Sequence, residues 1–197
     1  MSKNEHDESL VERAQASPSG DLRAFEGLVQ RHQDMILANC RYMTGSADTA
    51  EDLAQEVFVK AYFALPRFEK RASFGTWVKR IKVNHCLNHI RKVKKSTFVD
   101  VDDPALQAES AMQVPATGAA DLEALDERER IRRTLDQVPE KLRLPLILRD
   151  LDGLTYQEIA EHLHIGLSAV KMRIKRGREE FRRLYDPEGG SSAEENA

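Results

Sequence analysis

The stretch that decides the fold is TYQEIAEHLHIGLSAVKMRIKRGREEFRRL, residues 155–184. Thr155, followed three residues later by Glu158, forms a capping-box pattern, which predicts that a helix begins there. Apolar residues continue at helical spacing as far as Leu163. The pattern breaks over residues 164–166, where we expect Gly166 to supply the backbone freedom of a sharp turn. A second amphipathic helix follows, so the stretch predicts a helix-turn-helix.

The second helix of this pair is strongly basic. Residues 168–183 contain seven Lys or Arg and two Glu, a local balance of +5. A solvated helix face is the ordinary explanation for surface charge, but it does not require so large an excess of one sign. A basic second helix in a helix-turn-helix is typical of a helix that enters the major groove of DNA. The sequence therefore indicates DNA binding by this segment.

Charge is segregated along the chain, although its formal net charge is only −3. Residues 70–95 hold nine Lys or Arg and no acid, whereas residues 97–126 hold seven Asp or Glu and no base. Alternating blocks of this kind predict two surfaces that face nucleic acid, separated by an acidic, solvated segment.

The remaining sequence predicts an all-α fold of two small helical domains. Apolar residues recur at three- and four-residue spacing, and no strand-like alternation of any length is found. Proline, glycine and small residues interrupt the pattern between the domains, which favours a flexible acidic linker. We expect a flexible N-terminus at 1–20, a first domain at 21–96, the linker at 97–121, a helix-turn-helix domain at 122–185 and a disordered tail at 186–197.

Cysteine use and hydropathy limit the class of protein. Cys40 and Cys86 lie in apolar helical patterns without ligand-like spacing, so we expect small core residues rather than a disulfide or a metal site. No apolar run has the length of a signal peptide or a membrane span. We predict a cytoplasmic protein without a cofactor, a metal or a membrane-inserted segment.

The basic segment of the first domain also carries aromatic and amide side chains. Aromatic rings on which unpaired bases stack contribute roughly 1–3 kcal/mol per base. Phe74 and Trp77 lie on an apolar stripe and are at least as consistent with the core. Phe68, in the loop after Pro66, has the better case for contacting bases. These residues make single-stranded or locally melted DNA a candidate ligand.

Three motifs, in this order, resemble the bacterial extracytoplasmic-function (ECF) sigma factors. They are AEDLAQEVFVKAY at residues 50–62, SFGTWVKRIKVN at 73–84, and LDGLTYQEIAEHL at 151–163 followed by SAVKMRIKRGRE at 168–179. The resemblance extends from about Leu10 to Tyr185. The chain departs from the family pattern in three places. The family usually has glycine near His164, often has Gly-Thr in place of Ser168-Ala169, and frequently has a small polar residue in place of Met172.

The resemblance implies a promoter-specificity subunit that binds core RNA polymerase and opens promoter DNA. It also implies an anti-sigma factor as regulator, a role in a stress or envelope response, and an acidic linker that threads the RNA exit path of the polymerase. For the site it implies three sets of residues. The core-polymerase-binding set is Asp52, Gln55, Glu56 and Phe58. The set for −10 binding and melting is Lys60, Phe68, Lys79, Lys82, Asn84, Asn88 and Arg91, of which Lys60, Phe68 and Asn84 surround a flipped base. The −35-binding set is Ser168, Lys171, Met172, Arg173, Lys175, Arg176 and Arg178, of which Arg173 and Arg178 grip phosphate.

The sequence can be set against two other classes of function. A stand-alone helix-turn-helix regulator that binds an operator needs only the second domain and usually dimerises to read two half-sites. It leaves the aromatic and basic segment of the first domain unexplained. An enzyme needs a metal-ligand cluster, a phosphate-cradling glycine loop or a nucleophile–base pair, and the sequence presents none of these patterns. We therefore expect no catalytic residue and no small-molecule substrate.

Overall fold

The protein is all-α in a computed structural model that describes residues 3–16, 22–97 and 119–186. The chain divides into two compact units, Met1–Pro104 and Ala105–Ala197. The described residues of the first unit form α1 (Lys3–Ala16), α2 (Leu22–Thr44), α3 (Ala47–Ala64), a short 3₁₀ turn (Leu65–Arg67) and α4 (Phe74–Thr97). Those of the second form α5 (Ala119–Gln137), α6 (Glu140–Asp150), α7 (Tyr156–Leu163) and α8 (Leu167–Tyr185). This arrangement confirms the predicted fold class.

The predicted boundaries and the helix bounds differ in places. Helix α5 begins three residues before the predicted start of the second domain. Residues 98–118 of the predicted linker and 187–197 of the predicted tail lie outside the described residues. In the part of the chain that the structure describes, none of the helices combines the length and the apolar character that crossing a bilayer requires.

The core of the first unit forms where α2, α3 and α4 pack their apolar faces together. The largest buried side chains come from all three helices and include Leu28, Ile36, Val57, Val78 and Val83. The α2–α3 corner is set locally. Gly45 takes a positive φ of 72° after α2, and Ser46 then caps α3 by accepting a hydrogen bond from the Thr49 amide. This corner lets α3 fold back against α2.

The N-terminal segment is a helix, which corrects the prediction of a flexible N-terminus for residues 3–16. Leu10, Val11 and Ala14 of α1 are buried. The buried Asp7 carboxylate accepts a hydrogen bond from Arg31 Nη1 at 2.9 Å and lies 2.8 Å from His32 Nε2. The polar composition of this segment does not indicate a packed helix. The helix is stabilised by a few apolar residues on one face and by a buried acid whose partners lie on α2.

The second unit brings α6 and α8 into close contact. A Cβ atom at Gly177 of α8 would lie 3.0 Å from the carbonyl oxygen of Leu142, so glycine permits this approach. Ile147 and Leu148 of α6 are buried in the same core as Ile174 of α8. The helix-turn-helix is therefore held by α6 packed on the inner face of its second helix.

The turn between α7 and α8 differs from the sequence expectation. His164 takes the left-handed conformation, with φ 52° and ψ 45°. The backbone N–H groups of His164 and Ile165 donate to carbonyl groups in the last turn of α7 and so cap this helix. Gly166 has φ −67° and ψ 150°, which any residue adopts. The expectation that Gly166 supplies the turn's special freedom is therefore wrong. The residue in the glycine-favouring conformation is His164.

Candidate nucleic-acid interface

Helix α8 has one buried face and one exposed face. Val170, Ile174 and Gly177 lie on the buried face. The exposed face carries five of the seven residues predicted for −35 DNA, namely Ser168, Lys171, Met172, Lys175 and Arg176. The start of α7 is fixed by the predicted capping box. The Glu158 amide donates to Thr155 Oγ1, and the Thr155 amide donates to Glu158 Oε2. The fold thus presents a polar and cationic helix face to solvent.

The two predicted phosphate contacts on α8 are less freely presented. Arg173 is half-buried. Arg178 forms a bidentate ion pair with Asp150, at 2.9 Å from Nε and 2.5 Å from Nη2. This hydrogen bonding to Asp150 raises the pKa of Arg178. A phosphate must therefore share Arg178 with Asp150 or displace that carboxylate.

A cavity of about 310 Å³ lies along the Lys171–Arg182 side of α8. Its lining includes four cations and one acid, and it is formed by Tyr156, Lys171, Ile174, Lys175, Arg178, Glu179 and Arg182. The sequence interpretation missed Tyr156 and Arg182 at this place. Arg182 is one helical turn beyond Arg178 in the same basic run, so helical spacing could have indicated it.

The outer side of α4 and the neighbouring α3 hold most of the predicted −10 residues. Asn84, Asn88 and Arg91 recur at helical spacing on α4 and are exposed, and Arg91 Nη1 donates to Asn88 Oδ1 at 2.8 Å. Lys79 is half-buried on the same helix, and Lys60 is exposed on α3. Lys60, Asn84, Asn88 and Arg91 are therefore open to a nucleic acid, and Lys79 is only partly so.

Lys82 contradicts its predicted contact with DNA. Its side chain is 0% exposed, and its Nζ lies 3.6 Å from Met43 Sδ. On α4 it is one turn from both Val78 and Cys86, which are also buried. The sequence interpretation treated its charge as a sign of exposure, whereas helical spacing places it on the inner face.

Phe68 is also buried, at 8% exposure, which contradicts its role as an open stacking platform. Its ring stacks on Trp77 with centroids 4.6 Å apart, and it lies edge-on to Phe74 at 6.5 Å. Gln15 of α1 holds the loop backbone, because its Nε2 donates to the carbonyls of Leu65 at 2.8 Å and Phe68 at 2.9 Å. Phe68 is thus part of an aromatic cluster, of which Trp77 is the partly exposed member.

The outer face of α3 carries the predicted polymerase-binding residues except Phe58. Asp52, Gln55 and Glu56 are exposed, whereas Phe58 is 8% exposed and packs in the core. Phe58 is therefore not available to a partner, because it shares the inner face of α3 with Leu53 and Ala61.

Two features of this α3 face were not predicted. Val59 and Phe63 are exposed at one-turn intervals after Gln55, and Phe63 is 75% exposed. Glu56 Oε2 also lies 2.7 Å from His85 Nε2 of α4. Burial is the largest of the effects that lower the pKa of His85; Lys60 and His89 act in the same direction, and Glu56 opposes them. The face is accordingly polar at its start and apolar at its end.

Comparison with known families identifies both units. Residues 28–96 match the model of sigma-70 region 2, and residues 128–181 match the model of sigma-70 region 4. The RNA polymerase sigma-H factor of Pseudomonas aeruginosa is 36% identical over 193 residues, covering 95% of this chain and 97% of that protein. The ECF RNA polymerase sigma-E factor of Escherichia coli K12 is also 36% identical over 193 residues, covering 95% and 98%.

Solved structures give the same result for the fold. CnrH, solved in complex with the cytosolic domain of CnrY, has 25% identity and a TM-score of 0.56, covering 93% of this chain and 99% of that one. The sigma factor RpoE of Bartonella quintana, solved with the anti-sigma factor NepR, has 21% identity and a TM-score of 0.60, covering 83% and 98%. The second likeness concerns the fold alone.

The chain belongs to the ECF family of RNA polymerase sigma factors, as its sequence motifs indicated. It is a transcription initiation factor and not an enzyme. Its partners are core RNA polymerase and promoter DNA. The alternative of a stand-alone operator-binding regulator is not favoured, because both sigma regions are present in order.

Proposed function

We propose that the two units divide promoter recognition between them. The second unit reads the −35 element as duplex through Ser168, Lys171, Met172, Lys175 and Arg176. The first binds core polymerase through Asp52, Gln55 and Glu56 of α3 and engages the melted −10 element through Lys60 and the exposed side of α4. The observation that carries the proposal is the convergence of the five α8 side chains on one exposed face, opposite a buried face.

The chemistry of each surface supports this division. Arg or Lys paired with guanine is the commonest specific contact in the major groove, and α8 offers Lys171, Lys175 and Arg176 for it. The exposed amides of Asn84 and Asn88 suit the hydrogen-bonding edges of an unpaired base. In this proposal Phe68 does not contact the DNA itself. Its ring stacks on Trp77 and so supports the ring that is partly exposed.

The cationic cavity beside α8 extends the second surface. Half to two-thirds of protein–DNA hydrogen bonds go to phosphate and sugar, and these contacts fix the orientation of the protein on the duplex. Arg182 and Tyr156, which line this cavity, are proposed as backbone contacts beside the base-reading face. Arg178 is already paired with Asp150. We propose that this ion pair fixes the side of the cavity that Arg178 lines, and that the Arg178 guanidinium also contacts phosphate.

Regulation and location complete the proposal. We infer that an anti-sigma factor controls the protein, since two structural neighbours were solved with a bound partner, CnrY for CnrH and the anti-sigma factor NepR for RpoE. We place the protein in the cytoplasm, where core polymerase transcribes. The stress or envelope response stays a prediction.

The test compares Arg176→Ala with Asn84→Ala in holoenzyme reconstituted with core polymerase. Both residues are exposed, so both variants keep the fold. Arg176→Ala is expected to weaken −35 duplex binding by about 1–3 kcal/mol, mainly at one base position. Asn84→Ala is expected to spare duplex binding and to reduce permanganate reactivity of promoter thymines on linear DNA.

A template with a pre-melted bubble separates the two effects. Its bases are already unpaired, so it is expected to rescue Asn84→Ala in part and to give Arg176→Ala no specific benefit. Glu26→Ala, at an exposed position on α2, serves as the matched control. Equal loss of duplex binding in both variants, with no rescue by the bubble, would show that the division of labour is wrong.

A further inference from the structure

Met172 is an apolar side chain at the centre of the DNA-facing side of α8. It is 48% exposed. Ser168 lies one turn before it and Arg176 one turn after it, and both are exposed. The buried positions Val170 and Ile174 flank it in sequence but point to the other side of the helix. Met172 is therefore not part of the core of the second unit.

Polar and charged side chains surround this exposed methionine. The exposed side chains around it are the hydroxyl of Ser168, the cations Lys171, Lys175 and Arg176, and Glu179, which lies 3.9 Å from Lys175; water solvates all of them well. An apolar side chain in their midst gains free energy when a partner covers it with apolar surface. On the proposed function, the partner that covers this face is the major groove of the −35 element.

The major groove displays one apolar group, the 5-methyl of thymine, among its donors and acceptors. We propose that Met172 reads this methyl group and so selects thymine at one position of the −35 element. The inference rests on the proposed function of α8. It assigns to this chain a base preference that follows from its own side chain.

Helix geometry limits where the thymine lies. Met172 and Arg176 are one turn apart, which is a rise of about 6 Å along α8. Base pairs are spaced by about 3.4 Å. The thymine is therefore expected within about two base pairs of the guanine that Arg176 contacts.

The experiment removes the methyl group and nothing else. A −35 element is first selected from a random duplex library by the wild-type holoenzyme. Each thymine of the selected element is then replaced singly by deoxyuridine, and holoenzyme binding is measured by competition. Covering one methyl group contributes about 0.8 kcal/mol, so the wild type is expected to lose about fourfold in affinity at one thymine.

Variants of Met172 attribute that loss to its side chain. Met172→Leu keeps an apolar side chain and is expected to retain the fourfold effect, whereas Met172→Ser is expected to bind thymine and deoxyuridine equally. Arg176→Ala is the matched control, because it is expected to weaken binding to both duplexes while leaving their ratio unchanged.

Two results would overturn the inference while the proposed function stands. One is a selected element with no thymine within about two base pairs of the guanine whose recognition Arg176→Ala removes. The other is a deoxyuridine effect of the same size in Met172→Ser and in the wild type. If instead neither Arg176→Ala nor Met172→Ser changes −35 binding, the proposed role of α8 itself is wrong, and the inference fails with it.

Discussion

Replacing His164 by glycine should stabilise the second unit. His164 has φ 52° and ψ 45°, a left-handed conformation that costs a residue with a Cβ about 1–2 kcal/mol. Glycine removes this strain. A chain with glycine at this position, however, loses more backbone conformational entropy on folding, which costs roughly 0.5–1 kcal/mol. The His164 side chain is exposed, so little packing is lost. The net expectation is a gain of about 0.5–1 kcal/mol in the free energy of unfolding.

Two glycine positions provide matched controls. Gly166 has an ordinary backbone conformation, and a Cβ there would meet no atom within 4 Å. Gly166→Ser should therefore be tolerated or slightly stabilising, because serine also caps a helix start well. Gly153 has a φ of 76°, so Gly153→Ala should cost about 1–2 kcal/mol through left-handed strain.

The assay must report on the second unit alone. The single Trp of the chain, Trp77, lies in the first unit, so its fluorescence does not serve. Native-state hydrogen exchange of the α7 and α8 amides at increasing urea measures the opening free energy of these helices. If Gly166→Ser destabilises α7 and α8 while His164→Gly leaves them unchanged, the assignment of the strained position to His164 is refuted.

Three further predictions concern the polymerase surface, the aromatic cluster and the pH dependence of folding. The double change Asp52→Ala with Gln55→Ala should leave the free energy of unfolding unaltered, since both residues are exposed. It should weaken the pull-down of core polymerase. Capture of polymerase at the level of the wild type and of the Glu26→Ala control would reject this surface as the polymerase-binding site. Phe68→Ala should destabilise the first unit by about 3–5 kcal/mol, because it removes a buried ring stacked on Trp77, and urea unfolding followed by Trp77 fluorescence would show an unchanged midpoint if this is wrong. Hydrogen bonding from Arg132 lowers the pKa of Glu129 from 4.5 to about 2, so its contribution to stability should be complete above pH 4.5 and lost as the pH falls toward 2. Glu129→Gln should flatten this part of the stability profile of the second unit, and a profile identical to the wild type would exclude the contribution.

Several features of the protein could be predicted from local sequence. The Thr155–Glu158 capping box acts within one helical turn, so the start of α7 follows from four residues and was found as predicted. The exposed face of α8 also follows from spacing, because Val170 and Ile174 fix the inner face and leave Lys171, Lys175 and Arg176 outside. Family membership likewise depends on motifs and their order rather than on any contact.

Other features depend on partners that are distant in the sequence. Phe68 lies in a loop with no periodicity, and its burial is decided by Trp77 and by Gln15, which bonds to that loop's backbone from more than fifty residues away. Lys82 is buried because α4 turns that side toward α2, where Met43 meets it, and the charge of a side chain does not reveal such an environment. The helical course of the N-terminus depends on pairing Asp7 with Arg31 and His32 of α2.

The sequence by itself determined the helices apart from α1, the presence of two helical domains and the cationic face of α8, because periodicity, caps and charge act over one or two turns. Only the tertiary structure decided which predicted site residues are available to a partner. Phe58, Phe68 and Lys82 are buried in the folded protein, and the left-handed residue of the α7–α8 turn is His164. The physical reason is that exposure and backbone conformation are set by what packs against a residue, and those neighbours are brought together only when the helices fold onto one another.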